Sequence, residues 1–185
     1  MKGIIFTAFL DLVEEKFGVE MLEDVISSAD LPNGGAYTAV GTYDHAELVT
    51  MVVILSDKTS IAVEDLVKAF GQYLFGVLAE TYPHWLEGID SAFGLLEKVD
   101  GFIHVEVKKL YPDAKLPDFE CRRISDSTLE MIYHSPREMG DVAEGLILGC
   151  AAYFSESLEI QREDAGEKNG QTERFLLSSI SETTE

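Results

Sequence analysis

The chain has 185 residues, of which 46% are hydrophobic, which predicts one globular unit or two closely packed subdomains with a core large enough to enclose a ligand. Its 14 basic and 34 acidic residues give a formal net charge of −20, which disfavours nucleic acids and anionic membranes as partners. Acidic residues interrupt the apolar N-terminal segment, so it predicts no signal peptide, and no stretch predicts a membrane span. Two cysteines without metal-ligand spacing predict free thiols in the cytoplasm.

Helices are predicted through most of the first hundred residues, because apolar side chains recur there at helical spacing. We expect them at 2–17, at 20–29, from the N-cap Asp44 onwards, from 63 to a point before Pro83, and at 85–99, with a break near Asp100. The first helix is apolar on most sides, so we expect it to be buried between others.

After Pro112 the pattern changes to short strands. The segments DFECRRIS and TLEMIYHS predict one hairpin, and SLEIQRE and ERFLLSSI predict two further strands. Residues 140–154 predict a helix in which Gly145 and Gly149 allow a neighbouring backbone to approach closely, and the final 181–185 are expected to be frayed. The predicted fold class is α+β, with a helical N-terminal part and a C-terminal part that combines a small antiparallel sheet with helices.

Several familiar motifs are missing from the sequence. It contains no GxGxxG, GxxxxGK[ST] or GxSxG segment, so neither nucleotide binding nor α/β-hydrolase chemistry is predicted. The four histidines are scattered, and neither an HxxxH nor a CxxC pair occurs, so no local zinc site is predicted.

His104 is the histidine with the most distinctive surroundings. It lies between Ile103 and Val105, and a helical face through 104, 107 and 111 is apolar apart from the imidazole. One interpretation is a core histidine that is hydrogen-bonded to a carbonyl. The other is an axial ligand of a haem iron, which needs one neutral imidazole in an apolar wall.

Tyr133, Ser135 and Arg137 follow an alternating run that predicts a strand. Residues two apart on a strand share a face about 6–7 Å apart, so these three donors suit an anion with several oxygens. The alternative is a strand end at which Arg137 pairs with a surface acid. Considered together with His104, the three donors predict a haem whose iron is bound by the imidazole and whose propionates are bound by the strand end.

The segment Y-x-S-x-R, with a histidine about thirty residues earlier in a helix that ends KLYP, resembles the haem-nitric oxide/oxygen binding (H-NOX) family, which is related to the haem domain of soluble guanylate cyclase. The segments MKGIIF, VKAFGQYLF and AEGLILG are also similar to bacterial members, and the resemblance covers essentially the whole chain. It implies one domain over 1–185, with an N-terminal helical subdomain at about 1–60, a haem-binding subdomain at about 61–185, and haem b between them. His104 is then the axial iron ligand, and Tyr133, Ser135 and Arg137 hold the propionates.

The resemblance also implies a haem pocket and a function. The implied pocket residues are Ile5, Phe9, Leu74, Leu78, Pro117, Val142 and Leu146. Val142 aligns with the distal tyrosine of oxygen-binding members, so we expect NO and CO to bind and O₂ to be excluded. The chain is then expected to be a sensor without catalytic residues that regulates a separate histidine kinase or cyclic-di-GMP enzyme. The alternatives are a haem protein for O₂ storage or peroxide chemistry, and an adaptor that has lost haem.

Overall fold

The computed structural model describes residues 1–137, 139–167 and 171–180. The predicted frayed end at 181–185 lies outside this range. In chain order the elements are α1 (Gly3–Phe17), α2 (Val19–Ser28), α3 (His45–Thr59), α4 (Val63–Thr81), a 3₁₀ turn (Pro83–Leu86), α5 (Ala92–Leu96), a π-helical turn (Val99–Ile103), α6 (His104–Leu110), β1 (Asp118–Ser125), β2 (Thr128–Ser135), α7 (Gly140–Tyr153), β3 (Leu158–Glu167) and β4 (Gln171–Ser179).

The first four helices form as the hydrophobic pattern predicts. Helix α1 buries Phe6, Phe9 and Val13 almost completely, which agrees with its apolar sequence. Asp44 caps α3 by accepting a hydrogen bond from the backbone N–H of Ala46 at 3.0 Å. Buried side chains of α1 to α4 form one hydrophobic cluster, and α4 is therefore part of the N-terminal core.

The predicted single helix over 85–99 is wrong. A 3₁₀ turn, the short α5 and a π-helical turn replace it, and the predicted break at Asp100 lies inside the π-helical turn. The N–H of Ile103 bonds at 3.0 Å to the carbonyl oxygen of Lys98, five residues earlier, whereas an α-helical bond spans four residues. This wider π-helical turn leads directly into α6.

The four strands form one antiparallel sheet, as predicted, and the structure gives its strand order as β1-β2-β4-β3. Strand β2 alternates between buried and half-buried residues along its whole length. Its buried side chains Leu129, Met131 and Tyr133 join a second hydrophobic cluster with α5 and α7. The predicted α+β fold class is confirmed.

Helices α4 and α7 pack backbone against backbone. A Cβ added to Gly71 would lie 2.8 Å from the Cα of Gly145, and one added to Gly149 would lie 2.9 Å from the carbonyl oxygen of Gln72. Only glycine permits such an approach, as predicted for the pair in α7. This seam connects the N-terminal cluster to the second cluster, and it positions the helices that line the site. Among the described residues, no helix combines the length and hydrophobicity that a membrane crossing requires.

Candidate functional site

A cavity of about 690 Å³ lies between the two hydrophobic clusters. Its volume falls within the range of small-molecule and cofactor sites, roughly 300–1,000 Å³. Helices α1, α4 and α7 supply one set of lining residues, and α6, the segment 113–117 and the sheet supply another. The cavity is therefore bounded by both parts of the α+β fold.

His104 lines this cavity from the first turn of α6, and its side chain is only 13% exposed. Its Nδ1 lies 3.3 Å from Oδ1 of Asp100, one helical turn earlier. Burial lowers the pKa of His104, while the hydrogen bond and the charge of Asp100 raise it. When Nδ1 carries the proton and donates it to this carboxylate, the neutral form of the imidazole keeps its lone pair on Nε2, which is then the atom available to a metal.

Tyr133 and Ser135 occupy the buried face of β2, and each is 3% exposed. Both line the cavity, together with Arg137 two residues beyond the end of the strand. Burial raises the pKa of the Tyr133 phenol, so the hydroxyl stays protonated and can donate a hydrogen bond. The Oγ of Ser135 accepts a hydrogen bond from the backbone N–H of Arg137 at 3.2 Å, which fixes the turn after β2.

Arg137 differs from the other four arginines of the chain. Each of those has a carboxylate within 4.0 Å, whereas Arg137 has no such partner among the described residues and donates from Nη1 to the carbonyl oxygen of Lys115 at 2.6 Å. The alternative of an ordinary ion pair with a surface acid therefore finds no support in the described ranges. A carboxylate ligand in the cavity would satisfy the remaining donors of the guanidinium.

The apolar residues predicted for the pocket lie along the same cavity, with one exception. Its lining includes Ile5, Leu74, Leu78, Pro117, Val142 and Leu146. Phe9, one turn after Ile5 on α1, does not line it and instead packs edge-on against Phe70 with ring centroids 5.4 Å apart. The placement of Phe9 in the pocket is therefore corrected, because α1 directs that position into the N-terminal core.

The part of the wall that α1, α4 and α7 supply contains almost no hydrogen-bond donors. Cys150 carries the only polar group on the lining residues of these three helices, and its thiol donates to the carbonyl oxygen of Ala92 at 3.8 Å. Tyr73 lines a smaller, separate pocket instead. Successive side chains of a helix point about 100° apart, so Tyr73 lies on a different side of α4 from its neighbour Leu74.

The predicted pocket set omitted six aromatic residues that line the cavity, namely Tyr43, Phe75, Tyr82, Trp85, Tyr111 and Phe119. The hydroxyls of Tyr82 and Tyr111 lie 3.1 Å apart and connect the end of α4 to the end of α6. Tyr82 stacks on Trp85 with ring centroids 4.1 Å apart. Tyr111 lies on the helical face through 104, 107 and 111 that the sequence indicated, and this face borders the cavity.

The residues around the cavity fit a haem. The iron requires a neutral imidazole in an apolar wall, and His104 is buried with its pKa lowered. The propionates require cationic and hydroxyl donors, and Arg137, Tyr133 and Ser135 line the same cavity. The macrocycle requires an extended apolar space, which the aliphatic and aromatic lining residues provide.

Comparisons with known proteins agree with this interpretation. The model of the family described as Haem-NO-binding matches residues 2–162. The structure of the Fe(II) unliganded H-NOX protein from K. algicida is 36% identical, with a TM-score of 0.90 and complete coverage of both chains. The IWP-051-bound H-NOX from Shewanella woodyi in the Fe(II)CO state is 41% identical, with a TM-score of 0.85, over 100% of this chain and 97% of that one.

A similarity to a longer protein points in the same direction. Soluble guanylate cyclase gcy-35 of Caenorhabditis elegans is 26% identical over 141 residues, which make up 74% of this chain and 20% of that protein. The chain thus spans a fifth of the length of that cyclase. The family match covers most of the chain, so the protein belongs to the Haem-NO-binding family, whose H-NOX domains are haem-based gas-sensing domains.

Proposed function

We propose that the chain binds haem b with His104 as the single protein ligand of the iron, and that it senses NO and CO. The observation that carries this proposal is the presence, in one apolar cavity, of the buried imidazole of His104, whose pKa burial lowers, and of an arginine without a carboxylate partner among the described residues. When bound, the haem supplies a ferrous iron that takes one diatomic gas beside the protein's imidazole.

The chain's own residues hold the cofactor and set its orientation. Nε2 of His104 would bind the iron as a neutral donor, with Asp100 orienting the ring through Nδ1. Arg137, Tyr133 and Ser135, which line the cavity at the end of β2, would donate hydrogen bonds to the carboxylates of the cofactor. Pro117 and the aliphatic side chains of the lining would exclude water from a cofactor in this cavity.

Gas selectivity follows from the wall that α1, α4 and α7 supply. Val142, Leu74 and Ile5 offer no hydroxyl or N–H donor to a gas molecule in the cavity. The affinity for O₂ depends on such a donor more than the affinities for NO and CO do, and one hydrogen bond contributes about 1 kcal/mol. We therefore propose that NO and CO bind while O₂ is excluded. A role in O₂ storage or peroxide chemistry would require polar groups at this wall.

Signalling requires an effector, and we propose that it is a separate histidine kinase or cyclic-di-GMP enzyme. The similarity to one fifth of a guanylate cyclase supports the idea that a domain of this kind acts on an effector. In this proposal the N-terminal subdomain, about 1–60, moves against the haem-binding subdomain, about 61–185, when the ligand bond of His104 changes. The chain itself carries out no catalytic step.

Reconstitution with haem tests the proposal. The protein is expected to bind haem and to show a Soret band, which shifts when NO or CO is added to the ferrous form. His104→Gly is expected to lose the iron–imidazole signature and to recover it when free imidazole is added, whereas the exposed His84→Ala is the control and is expected to keep the native spectrum. A protein that takes up no haem, or an unchanged spectrum in His104→Gly, would overturn the assignment.

A further inference from the structure

Arg162 on β3 lies at the centre of a cluster of charged side chains at the start of α7. Its guanidinium binds Glu173 through two nitrogens, with Nη2 2.8 Å from Oε1, and it also forms an ion pair with Asp141. Its Nη1 lies 3.3 Å from Oε2 of Glu144, whose other oxygen lies 2.7 Å from Nζ of Lys68. Four elements, α4, α7, β3 and β4, thus meet in one ionic network.

The network is half-buried, since the side chains of Arg162, Asp141 and Lys68 are 26%, 30% and 33% exposed. Glu173 is only 2% exposed, although it carries a carboxylate. Gly140 begins α7 directly against the network, since a Cβ added there would lie 2.5 Å from Nη2 of Arg162. A buried carboxylate without its cation is strongly destabilising, so Arg162 holds the first turn of α7 in one position relative to the sheet.

The first turn of α7, which Arg162 holds, belongs to the cavity wall that is proposed to face the gas. Asp141 directly precedes Val142, and Glu144 lies two residues before Leu146, and both of these apolar residues line the cavity. On the sheet side, Glu173 pairs in register with Tyr133 of the neighbouring strand, so the same cluster borders the proposed propionate donors. Arg162 therefore connects the apolar wall with the strand end that binds the carboxylates.

We propose that Arg162 is a positioning residue for the gas-binding cavity, which fixes Val142 and Leu146 relative to Tyr133 through Asp141, Glu144 and Glu173. Its role for gas binding rests on the proposed function. Its role in holding α7 rests on the contacts alone, and it can be tested without haem.

Arg174, the next residue after Glu173, is the matched control. Its Nε lies 2.8 Å from Glu130 and its Nη1 lies 3.1 Å from Glu163, so it also forms two ion pairs within the same sheet. Successive side chains of a strand point to opposite faces, so Arg174 lies on the face away from Glu173 and α7. Replacing Arg174 therefore removes an arginine with two ion pairs, as replacing Arg162 does, but removes no contact with α7.

The first measurement is amide hydrogen exchange of the haem-free protein. In Arg162→Met, the amides of 141–147 are expected to exchange about tenfold faster or more, because an ionic anchor of the helix is lost. Arg174→Met is expected to leave these amides unchanged. Asp141→Asn weakens the ion pair between Arg162 and Asp141 and leaves the pair with Glu173 intact. It therefore serves as the test variant if Arg162→Met does not fold. The same amides are expected to exchange faster in Asp141→Asn, by a smaller factor than in Arg162→Met.

The second measurement is the CO dissociation rate of the haem-loaded ferrous protein. Arg162→Met or Asp141→Asn is expected to change this rate about fivefold or more. Arg162→Lys is expected to give a rate between those of Arg162→Met and the native protein, because it keeps the positive charge. Arg174→Met is expected to match the native protein. Unchanged exchange of 141–147 in both test variants would overturn the positioning role. Faster exchange of these amides with an unchanged CO dissociation rate would overturn the link between Arg162 and gas binding. Absence of haem uptake in the native protein would overturn the proposed function and leave the role of Arg162 in holding α7 untouched.

Discussion

Asp100 lies one helical turn before His104, and its Oδ1 is 3.3 Å from Nδ1 of the imidazole. The π-helical turn between 99 and 103 brings the two side chains to the same face of the chain. An ionised Asp100 carboxylate can only accept a hydrogen bond, so this pairing favours the proton on Nδ1, and in the proposed haem complex it would leave Nε2 for the iron. The first two predictions follow from this pair.

In haem-free protein, Asp100→Asn is expected to lower the pKa of His104 further. Burial already lowers that pKa, and the hydrogen bond and charge of Asp100 oppose the effect of burial. An NMR titration of the imidazole measures the change. The matched control is Glu106→Gln on the same helix, since Glu106 pairs with Lys109 and not with His104. A native pKa in Asp100→Asn would contradict the assigned role of Asp100.

The stability of the haem-free protein is expected to depend on pH through His104. Its folded pKa lies below the ordinary value of 6.5, so the unfolded chain binds the proton more readily. The contribution of the neutral imidazole is therefore present above pH 6.5 and is lost as the pH falls from there toward the folded pKa. Denaturation of the native protein and of His104→Gln at several pH values is expected to show this loss only in the native protein.

Arg137→Met is expected to weaken haem retention. The substitution removes a charged donor that has no carboxylate partner among the described residues, and such hydrogen bonds contribute roughly 1.5–3 kcal/mol, so haem loss should be about tenfold faster or more. Transfer of haem to an excess of apomyoglobin measures the rate. Arg122→Met on the exposed side of the same hairpin is the control, since Arg122 pairs with Glu130 outside the cavity. Equal rates for the two variants would remove Arg137 from the carboxylate site.

Val142→Tyr is expected to create O₂ binding. Val142 lines the cavity on α7, and a phenol at this position adds one donor to a wall that otherwise lacks them, worth about 1 kcal/mol of hydrogen bonding. A ferrous sample exposed to air is expected to show an oxygen-bound spectrum. Val142→Phe has nearly the same bulk without the hydroxyl, and it is expected to behave like the native protein. Oxygen binding by the native protein would contradict the proposed selectivity.

Tyr82 and Tyr111 are expected to stabilise the fold jointly. Their hydroxyls lie 3.1 Å apart between the ends of α4 and α6. A double-mutant cycle with Tyr82→Phe and Tyr111→Phe is expected to give a coupling of about 1 kcal/mol in the free energy of unfolding. Additive effects of the two substitutions would show that the hydroxyl pair contributes no stability.

The same tyrosine pair also predicts a loss of stability at alkaline pH. Burial and the neighbouring hydroxyl raise the pKa of Tyr82 from 10.0 to about 12, so its stabilising contribution is present below pH 10 and is lost as the pH rises toward 12. Denaturation measured across this range is expected to show a smaller loss in Tyr82→Phe than in the native protein.

Local signals in the sequence predicted much of the fold and of the site. The alternation of β2 fixed the side on which Tyr133 and Ser135 lie, and Asp44 marked the start of α3. The π-helical turn before His104 was not predictable, because its hydrogen bonds shift by one residue without any change in hydrophobic pattern. The contacts of Arg162 were equally hidden, since they join residues about 11 to 21 positions apart through tertiary packing.

The cavity separates two hydrophobic clusters that belong to different parts of one chain. Any molecule that fills it supplies interior surface to both clusters at once, so cofactor affinity and folding free energy are thermodynamically linked. The melting temperature of the protein should therefore rise with the concentration of free haem. A substitution deep in either cluster, far from the imidazole, should weaken cofactor binding simply because it makes the folded form scarcer.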